Sequence, residues 1–115
     1  MTSTPIDFEQ FQRVDLRVGK IVAVELLPNP KYTTHKVTID FGEEIGQKIS
    51  GARLINYSLA ELKNRLIIGV VNLQPRQIGT LMSEVLILGV PDEQHECILL
   101  KPTDPDRAMV GSKVY

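Results

Sequence analysis

Residues 70–89 constrain the fold of this chain more than any other segment. They place a polar connector, which contains Pro75 and Arg76, between two apolar runs that are each too short for a typical helix. The pattern predicts a strand, a loop and a second strand. Because Pro75 has no backbone donor and a fixed φ angle, it holds the connector extended. We therefore expect Asn72, Arg76 and Ser83 to project from a rigid frame, as binding residues on loops often do.

Short strands are predicted along most of the chain. Residues 36–41 alternate between polar and apolar side chains, and this period of two indicates a strand with one buried face. Residues 16–25 are rich in β-branched side chains, and Gly19 among them suggests a bulge or a sharp coil. Further strands are predicted at residues 47–52, 66–73, 84–90 and 97–101.

Two short helices complete the predicted set of elements. The run from Ser58 to Glu61 has the pattern of a capping box and predicts a helix over residues 59–63, between the third and fourth strands. Residues 7–12 can form one or two helical turns with Phe8 and Phe11 on one face. A segment this short is marginal alone, so these aromatic rings are expected to dock on the barrel or on a second subunit.

Together these elements predict an all-β fold. Several short strands separated by turns, with one small helix, fit a five-stranded barrel better than a sandwich. We expect that barrel to carry a short N-terminal helix and a C-terminal β appendage. With 115 residues, the chain is expected to form one domain that spans residues 1–115.

Composition limits where the protein acts. No apolar run is long enough to span a bilayer, and the first residues do not have the pattern of a secretory signal. The single cysteine, Cys97, agrees with a reducing compartment. We therefore expect a soluble cytoplasmic protein with no membrane partner.

The charge distribution leaves two interpretations open. A net charge of −1 argues against general nucleic-acid binding, which draws its energy from clustered Lys and Arg. However, five basic residues and a single acid lie in residues 48–83, while acids gather in residues 40–44 and 92–96. A basic face is one interpretation, and charges scattered over solvated loops are the other.

Catalytic and metal sites are not expected. His95, Glu96 and Cys97 are adjacent, but neighbours on a strand point to opposite faces, and no second cluster completes four ligands. Neither Ser83 nor His35 belongs to a nucleophile motif, and no glycine-rich phosphate loop precedes a helix. We predict no enzyme activity, no cofactor and no metal.

Three blocks of sequence carry a family resemblance. They are Asp-Leu-Arg-Val-Gly-Lys-Ile at 15–21, Ile-Ser-Gly-Ala at 49–52, and the segment 70–89. In this order and spacing, the chain resembles the tRNA-binding-domain family, whose fold is the oligonucleotide-binding (OB) barrel, from about Phe8 to Lys113. Residues 39–46 and 83–89 look most like the small free-standing branch called CsaA, a chaperone related to protein export. The chain departs from the tRNA-binding pattern at Leu86, where that pattern has Met, and at residues 30–35.

The resemblance implies two ligands. The first expectation is a non-catalytic protein that binds tRNA or another structured RNA, and the alternative is a CsaA-like chaperone that holds unfolded preprotein segments in the same cavity. A plain assembly module that tethers an enzyme is a third possibility. The resemblance also implies a homodimer formed by the terminal segments, with Phe8 and Phe11 at the interface.

Each candidate binding residue has a structural alternative. Arg76 can fork onto a phosphate or a carboxylate, or be a solvated loop residue. Asn72 can hydrogen-bond a ligand or cap its loop. Ser83 and Leu86 occupy the positions of the family's binding motif, although Leu86 alone would be assigned to the core. The remaining candidates are Ser50, beside a close backbone approach at Gly51; Lys20, Lys31, Lys36 and Arg53, as phosphate contacts; and Tyr32, as a stacking ring.

Overall fold

A computed structural model of the protein describes residues 3–28, 31 and 33–115. No helix within these residues has both the length and the apolar character needed to cross a membrane. The described elements, in chain order, are α1 (Phe8–Gln12), β1 (Leu16–Leu26), β2 (His35–Asp40), α2 (Gly42–Ile45), β3 (Gln47–Ala52), α3 (Leu59–Leu62), β4 (Leu66–Val70), β5 (Arg76–Ile78), β6 (Leu81–Ser83), β7 (Leu86–Ile87), β8 (Gly89–Pro91) and β9 (Cys97–Leu99).

Five antiparallel strands form a nearly closed barrel. Their order is β3-β2-β1-β4-β7, so the long strand β1 is central and pairs with β2 on one side and β4 on the other. The two edges of the sheet meet where the Glu84 amide donates to the Ile49 carbonyl at 2.7 Å. Helix α3 lies between β3 and β4 in the chain. The predicted all-β, five-stranded OB-like barrel is confirmed.

The barrel interior is filled by the apolar face of β2 and its neighbours. Val37 and Ile39 are fully buried, and Phe41 follows them at the end of the strand. The predicted alternation is therefore confirmed. The buried cluster also contains Ile21, Leu54, Leu62, Ile67, Val85 and Leu99.

Glycine makes room for the largest of these core side chains. A Cβ atom at Gly19 would lie 2.6 Å from the ring of Phe41, and one at Gly69 would lie 3.1 Å from it. Of the two predictions for Gly19, a bulge or a sharp coil, the bulge lies elsewhere in β1, because the register with β2 shifts between Ile21 and Ala23. Gly19 lets β1 pass close over the Phe41 ring.

Helix α3 begins at a capping box. The Ser58 hydroxyl accepts a hydrogen bond from the Glu61 amide at 3.1 Å, and the Glu61 carboxylate accepts one from the Ser58 amide at 2.9 Å. This is the predicted capping box. Helix α2 lies in a segment for which the sequence analysis predicts no helix. The Asp40 carboxylate accepts from the Gly42 amide at 2.8 Å, and Gly46 ends the helix with a φ of +82°.

The connector contains more structure than its sequence indicated. β5 and β6 form a hairpin within it, and its turn includes Gly79, with a φ of +60°. The strand predicted at 84–90 is divided: β7 pairs with β4, whereas β8 pairs with β9. The division occurs beside Gly89, where a Cβ atom would lie 2.8 Å from the Ile98 carbonyl oxygen. The approach of β9 therefore draws the chain away from the barrel sheet.

Candidate binding site

A concavity of 160 Å³ lies between the hairpin and the barrel. The hairpin packs against the backbone at Gly51, where a Cβ atom would come within 3.0 Å of Leu81 and 3.1 Å of Ile78. A side chain at this position would therefore push the hairpin outward. The residues that line the concavity are Gly51, Leu73, Gln74, Arg76, Ser83, Glu84, Val85 and Leu86.

Arg76 is the cation of this concavity. It is exposed at the start of β5, directly opposite Ser83 in the hairpin register. Within the described residues, its guanidinium has no hydrogen-bond or ion-pair partner. The planar group is therefore available to bind a carboxylate, a phosphate or a carbonyl oxygen from a ligand.

The floor of the concavity is fastened to β3. The Ser83 hydroxyl accepts a hydrogen bond from the Gly51 amide at 3.0 Å. The Glu84 carboxylate accepts from the Ile49 amide at 3.1 Å and lies 3.8 Å from the Lys48 ammonium. The acid of the site is thus held by β3 and does not neutralise Arg76.

The wall of the concavity is apolar and half exposed. Leu73 is 50% exposed and Leu86 is 51% exposed, on either side of the hairpin in the chain. Both leucines line the same space as Arg76. The site therefore offers one cation and two accessible apolar side chains, a combination suited to a ligand with both polar and apolar groups.

Asn72 and Ser50 lie beside the concavity but do not line it. The Asn72 side chain accepts from the Asp15 amide at 2.9 Å and donates to the Arg13 carbonyl at 2.7 Å. It thereby fastens the connector to the segment before β1. Ser50 is buried, and its hydroxyl donates to the Val85 carbonyl at 2.7 Å. The described contacts of both side chains are structural.

The structure does not bring the four predicted phosphate contacts together. The Lys36 ammonium lies 3.4 Å from the Glu25 carboxylate. The Arg53 guanidinium donates to both carboxylate oxygens of Glu96, at 2.9 and 3.0 Å. Lys20 and Lys31 line two separate pockets, neither of which includes Arg76. Tyr32, the predicted stacking ring, lies outside the described residues.

Residues 15–21, the first block that carries the family resemblance, make contacts that hold the fold together. The Arg17 guanidinium donates to Asp15 at 2.6 Å, to Glu44 at 2.9 Å and to the Gly111 carbonyl at 3.0 Å. The hydrogen bonds to Asp15 and then Glu44 raise the pKa of Arg17 above its ordinary value. This cluster joins β1 to α2 and to the C-terminal segment.

The thiol of Cys97 sits in a setting that keeps it protonated. It lies partly buried in β9, and burial, helped by the neighbouring Glu96 carboxylate, raises the pKa of the thiol. A protonated thiol is a poor nucleophile and a poor metal ligand. The electrostatics at this position therefore disfavour both roles.

Leu73 and Gln74 were missed by the sequence analysis. Leu73 looked like the end of the fourth strand, but β4 ends at Val70. The Val71 amide then donates to the Asp15 carbonyl at 2.9 Å, outside the strand pairing of the sheet. Pro75, which fixes an extended backbone, was the signal that the preceding residues leave the sheet.

Comparison with known proteins identifies the family. Residues 16–112 match the family model described as "Putative tRNA binding domain". The chain belongs to the tRNA-binding domain family. Its sequence is 34% identical over 110 residues to methionine–tRNA ligases of Pyrococcus furiosus and Methanococcus maripaludis. The matched region covers 95–96% of this chain but only 14–16% of those ligases.

Three solved structures match this chain over their whole length. The CsaA chaperone protein of Picrophilus torridus is 38% identical, with a TM-score of 0.86, and the alignment covers 96% of this chain and 100% of that one. The chaperone CsaA of Bacillus anthracis is 33% identical, with a TM-score of 0.82 and coverage of 97% and 100%. A MetRS related protein of Pyrococcus horikoshii shares the fold. It is 22% identical, with a TM-score of 0.81 and coverage of 98% of this chain and 100% of that one.

Proposed function

We propose that this chain is a non-catalytic binding protein that holds an extended segment of unfolded polypeptide in the concavity at Arg76. The observation that carries the proposal is the Arg76 guanidinium, which has no partner among the described residues, beside two half-exposed leucines, Leu73 and Leu86. A polypeptide offers carbonyl and carboxylate oxygens to the guanidinium and apolar side chains to the leucines. The full-length likeness to two CsaA chaperones supports this choice.

The hairpin supplies a surface for backbone recognition. Among the described strands, β5 is hydrogen-bonded to β6 alone, so its outer edge carries unpaired backbone groups next to Arg76. An extended peptide can add to such an edge as a further strand. Backbone pairing would bind peptides of many different sequences. The apolar wall would favour segments rich in large apolar side chains.

Peptide binding can be measured by fluorescence anisotropy with a labelled, permanently unfolded polypeptide. Leu86→Ser should weaken binding, whereas Leu26→Ser, which changes an even more exposed leucine at the end of β1, should not. Arg76→Gln should weaken binding, with Arg13→Gln as the control for loss of one exposed charge. Equal effects of the site and control variants would refute the assignment of this concavity.

Binding of tRNA is the second candidate, and family membership favours it. The charge of residues 48–83 supports it less than the sequence suggested, because Lys48 and Arg53 are ion-paired with Glu84 and Glu96. RNA binding should weaken steeply with salt, whereas apolar capture of a peptide should not. A gel-shift titration at several salt concentrations, with unlabelled peptide as competitor, separates the two ligands and tests whether they share a site.

A homodimer in the cytoplasm is part of the same proposal. The rings of Phe8 and Phe11 lie 6.2 Å apart on α1, and Phe8 is 64% exposed. Burying this pair against a second copy would remove apolar surface from water and place two concavities on one particle. Light scattering on the wild type and on Phe8→Asp tests this point, and a monomeric wild type would contradict it.

A further inference from the structure

A second pocket, of 430 Å³, lies at the other end of β4 from the concavity. The start of β4, the middle of β1 and the C-terminal segment form its walls. Three of its lining residues are basic, namely Lys20, Arg65 and Lys101, and one, Asp106, is acidic. The proposed polypeptide site does not account for this concentration of positive charge, because none of these residues lines the concavity at Arg76.

The basic residues of this pocket differ from most others in the protein. Five Lys and Arg side chains elsewhere lie within 4.0 Å of a carboxylate, and Lys113 donates to the Gln12 carbonyl. Within the described part of the chain, Lys20, Arg65 and Lys101 have no ion pair and no side-chain hydrogen bond. Three cations around one space, with a single acid in the lining, attract an anion.

Three carboxylates lie near the basic residues of the pocket. Two of them accept hydrogen bonds from backbone amides, and the third lines the pocket. Asp40 faces Lys20 in the β1–β2 register, but its carboxylate accepts from the Gly42 amide at 2.8 Å. Glu61 interacts electrostatically with Arg65, while its carboxylate accepts from the Ser58 amide at 2.9 Å. Asp106 remains in the lining, and its single negative charge leaves the pocket net positive.

The pocket is built on a rigid frame. The Ile21 amide donates to the Arg65 carbonyl at 2.9 Å, and the Asn64 amide donates to the Ile21 carbonyl at 2.8 Å. The Arg65 guanidinium lies 4.7 Å from the centre of the Tyr57 ring, which restrains it by a cation–π contact. Its Nε is buried and has no acceptor among the described residues, which is unusual because buried donors are normally bonded.

We propose that this pocket binds a phosphate group through Lys20, Arg65 and Lys101. A guanidinium supplies several donors in one plane and two ammonium groups supply mobile charge, the combination that proteins use for phosphate oxygens. The phosphate can come from a free ion or from the backbone of a nucleic acid. The inference is independent of polypeptide binding, because it rests on the opposite end of β4.

Binding is tested by NMR titration of the folded protein with inorganic phosphate, against sodium chloride at equal ionic strength. The amide signals of Asn64 and Arg65 should shift with phosphate and not with chloride. Lys101→Gln and Lys20→Gln should each weaken the response about fivefold, the size expected for an exposed charge pair. Asp106→Asn should strengthen it by a similar factor.

Lys63→Gln is the matched control. Lys63 is adjacent to Asn64 in the chain but lines a different pocket beside Val22 and Leu59. Its loss removes the same charge without touching the proposed site, so phosphate affinity should be unchanged. An equal loss in Lys63→Gln and Lys101→Gln would show diffuse attraction by net charge and overturn the proposal, as would identical shifts with phosphate and chloride.

A single-stranded RNA oligonucleotide distinguishes the two sources of phosphate. If the pocket contacts a nucleic-acid backbone, Lys101→Gln should lower RNA affinity and reduce the salt slope by about one. If it takes a free ion, phosphate binding should persist and RNA affinity should not respond to Lys101→Gln. Both results support a phosphate site, whereas the two outcomes named for the Lys63→Gln control and the chloride titration refute it.

Discussion

The Ser50 hydroxyl donates a hydrogen bond of 2.7 Å to the carbonyl oxygen of Val85, and both residues are buried. Ser50 belongs to β3, one edge of the sheet, and Val85 immediately precedes β7, the other edge. A side chain therefore makes a bond where the regular ladder between strands stops. It closes the barrel directly behind the concavity.

Replacing Ser50 by Ala should destabilise the fold. The change leaves the buried Val85 carbonyl without this donor, which costs about 1–3 kcal/mol of unfolding free energy. Urea denaturation followed by circular dichroism measures the loss. Ser112→Ala is the control, since that exposed hydroxyl makes no hydrogen bond within the described residues. Equal midpoints for the two variants would show that the bond contributes nothing.

Gly19→Ala should also destabilise the protein, through crowding. The new Cβ atom would lie 2.5 Å from Ile39 and 2.6 Å from Phe41, both in the core. Overpacking of this kind costs about 1–3 kcal/mol. Combining Gly19→Ala with Phe41→Leu in a double-mutant cycle should recover part of the loss, because the smaller side chain leaves room. Strict additivity of the two unfolding free energies would contradict the proposed contact.

The sequence predicted some elements of the fold correctly and others not. The alternation of β2 and the capping box at Ser58 are local signals, and both predicted their elements correctly. At Gly19 and at Gly89, where the structure departs from the predicted strands, the contacts come from distant segments, Phe41 and β9. A local pattern does not contain those contacts, so both predictions failed there.

The candidate site likewise depends in part on local sequence and in part on contacts between distant residues. Arg76, Ser83 and Leu86 were selected from the connector, and the structure brings all three to one concavity. The predicted basic contacts depend on which carboxylate lies opposite each side chain. For Arg53 that partner is Glu96, which is 43 residues away in the chain. Such pairing is a property of the folded barrel. The sequence alone therefore overestimates the unpaired positive charge of residues 48–83.

His35 should make stability depend on pH. It is buried at the start of β2, and burial lowers the pKa of its imidazole below the ordinary value. At a pH just below that ordinary value, about 6.5, the unfolded chain binds a proton that the folded state excludes. Stability from this source is therefore complete above about pH 6.5 and falls as the pH is lowered towards the folded-state pKa.

Melting temperatures measured across this pH range check the His35 prediction. In His35→Asn the slope of stability against pH should become shallower, whatever the change in absolute stability. His95→Asn is the control, because His95 is exposed, and its φ of +64° is one that Asn tolerates. A slope that is unchanged in His35→Asn, or reduced equally in His95→Asn, would assign the effect to other groups.

Gly51→Ala should separate binding from folding. The added Cβ atom would come within 3.0–3.1 Å of Leu81, Ile78 and Thr33, so the hairpin must move by a few tenths of an ångström. Because Arg76 begins that hairpin, we expect peptide affinity to fall severalfold while the unfolding free energy changes by less than about 1 kcal/mol. Anisotropy titration and urea denaturation of the same preparation measure the two quantities. Unaltered peptide affinity, with the amide signals of β5 and β6 displaced, would show that the position of Arg76 over the concavity does not govern binding.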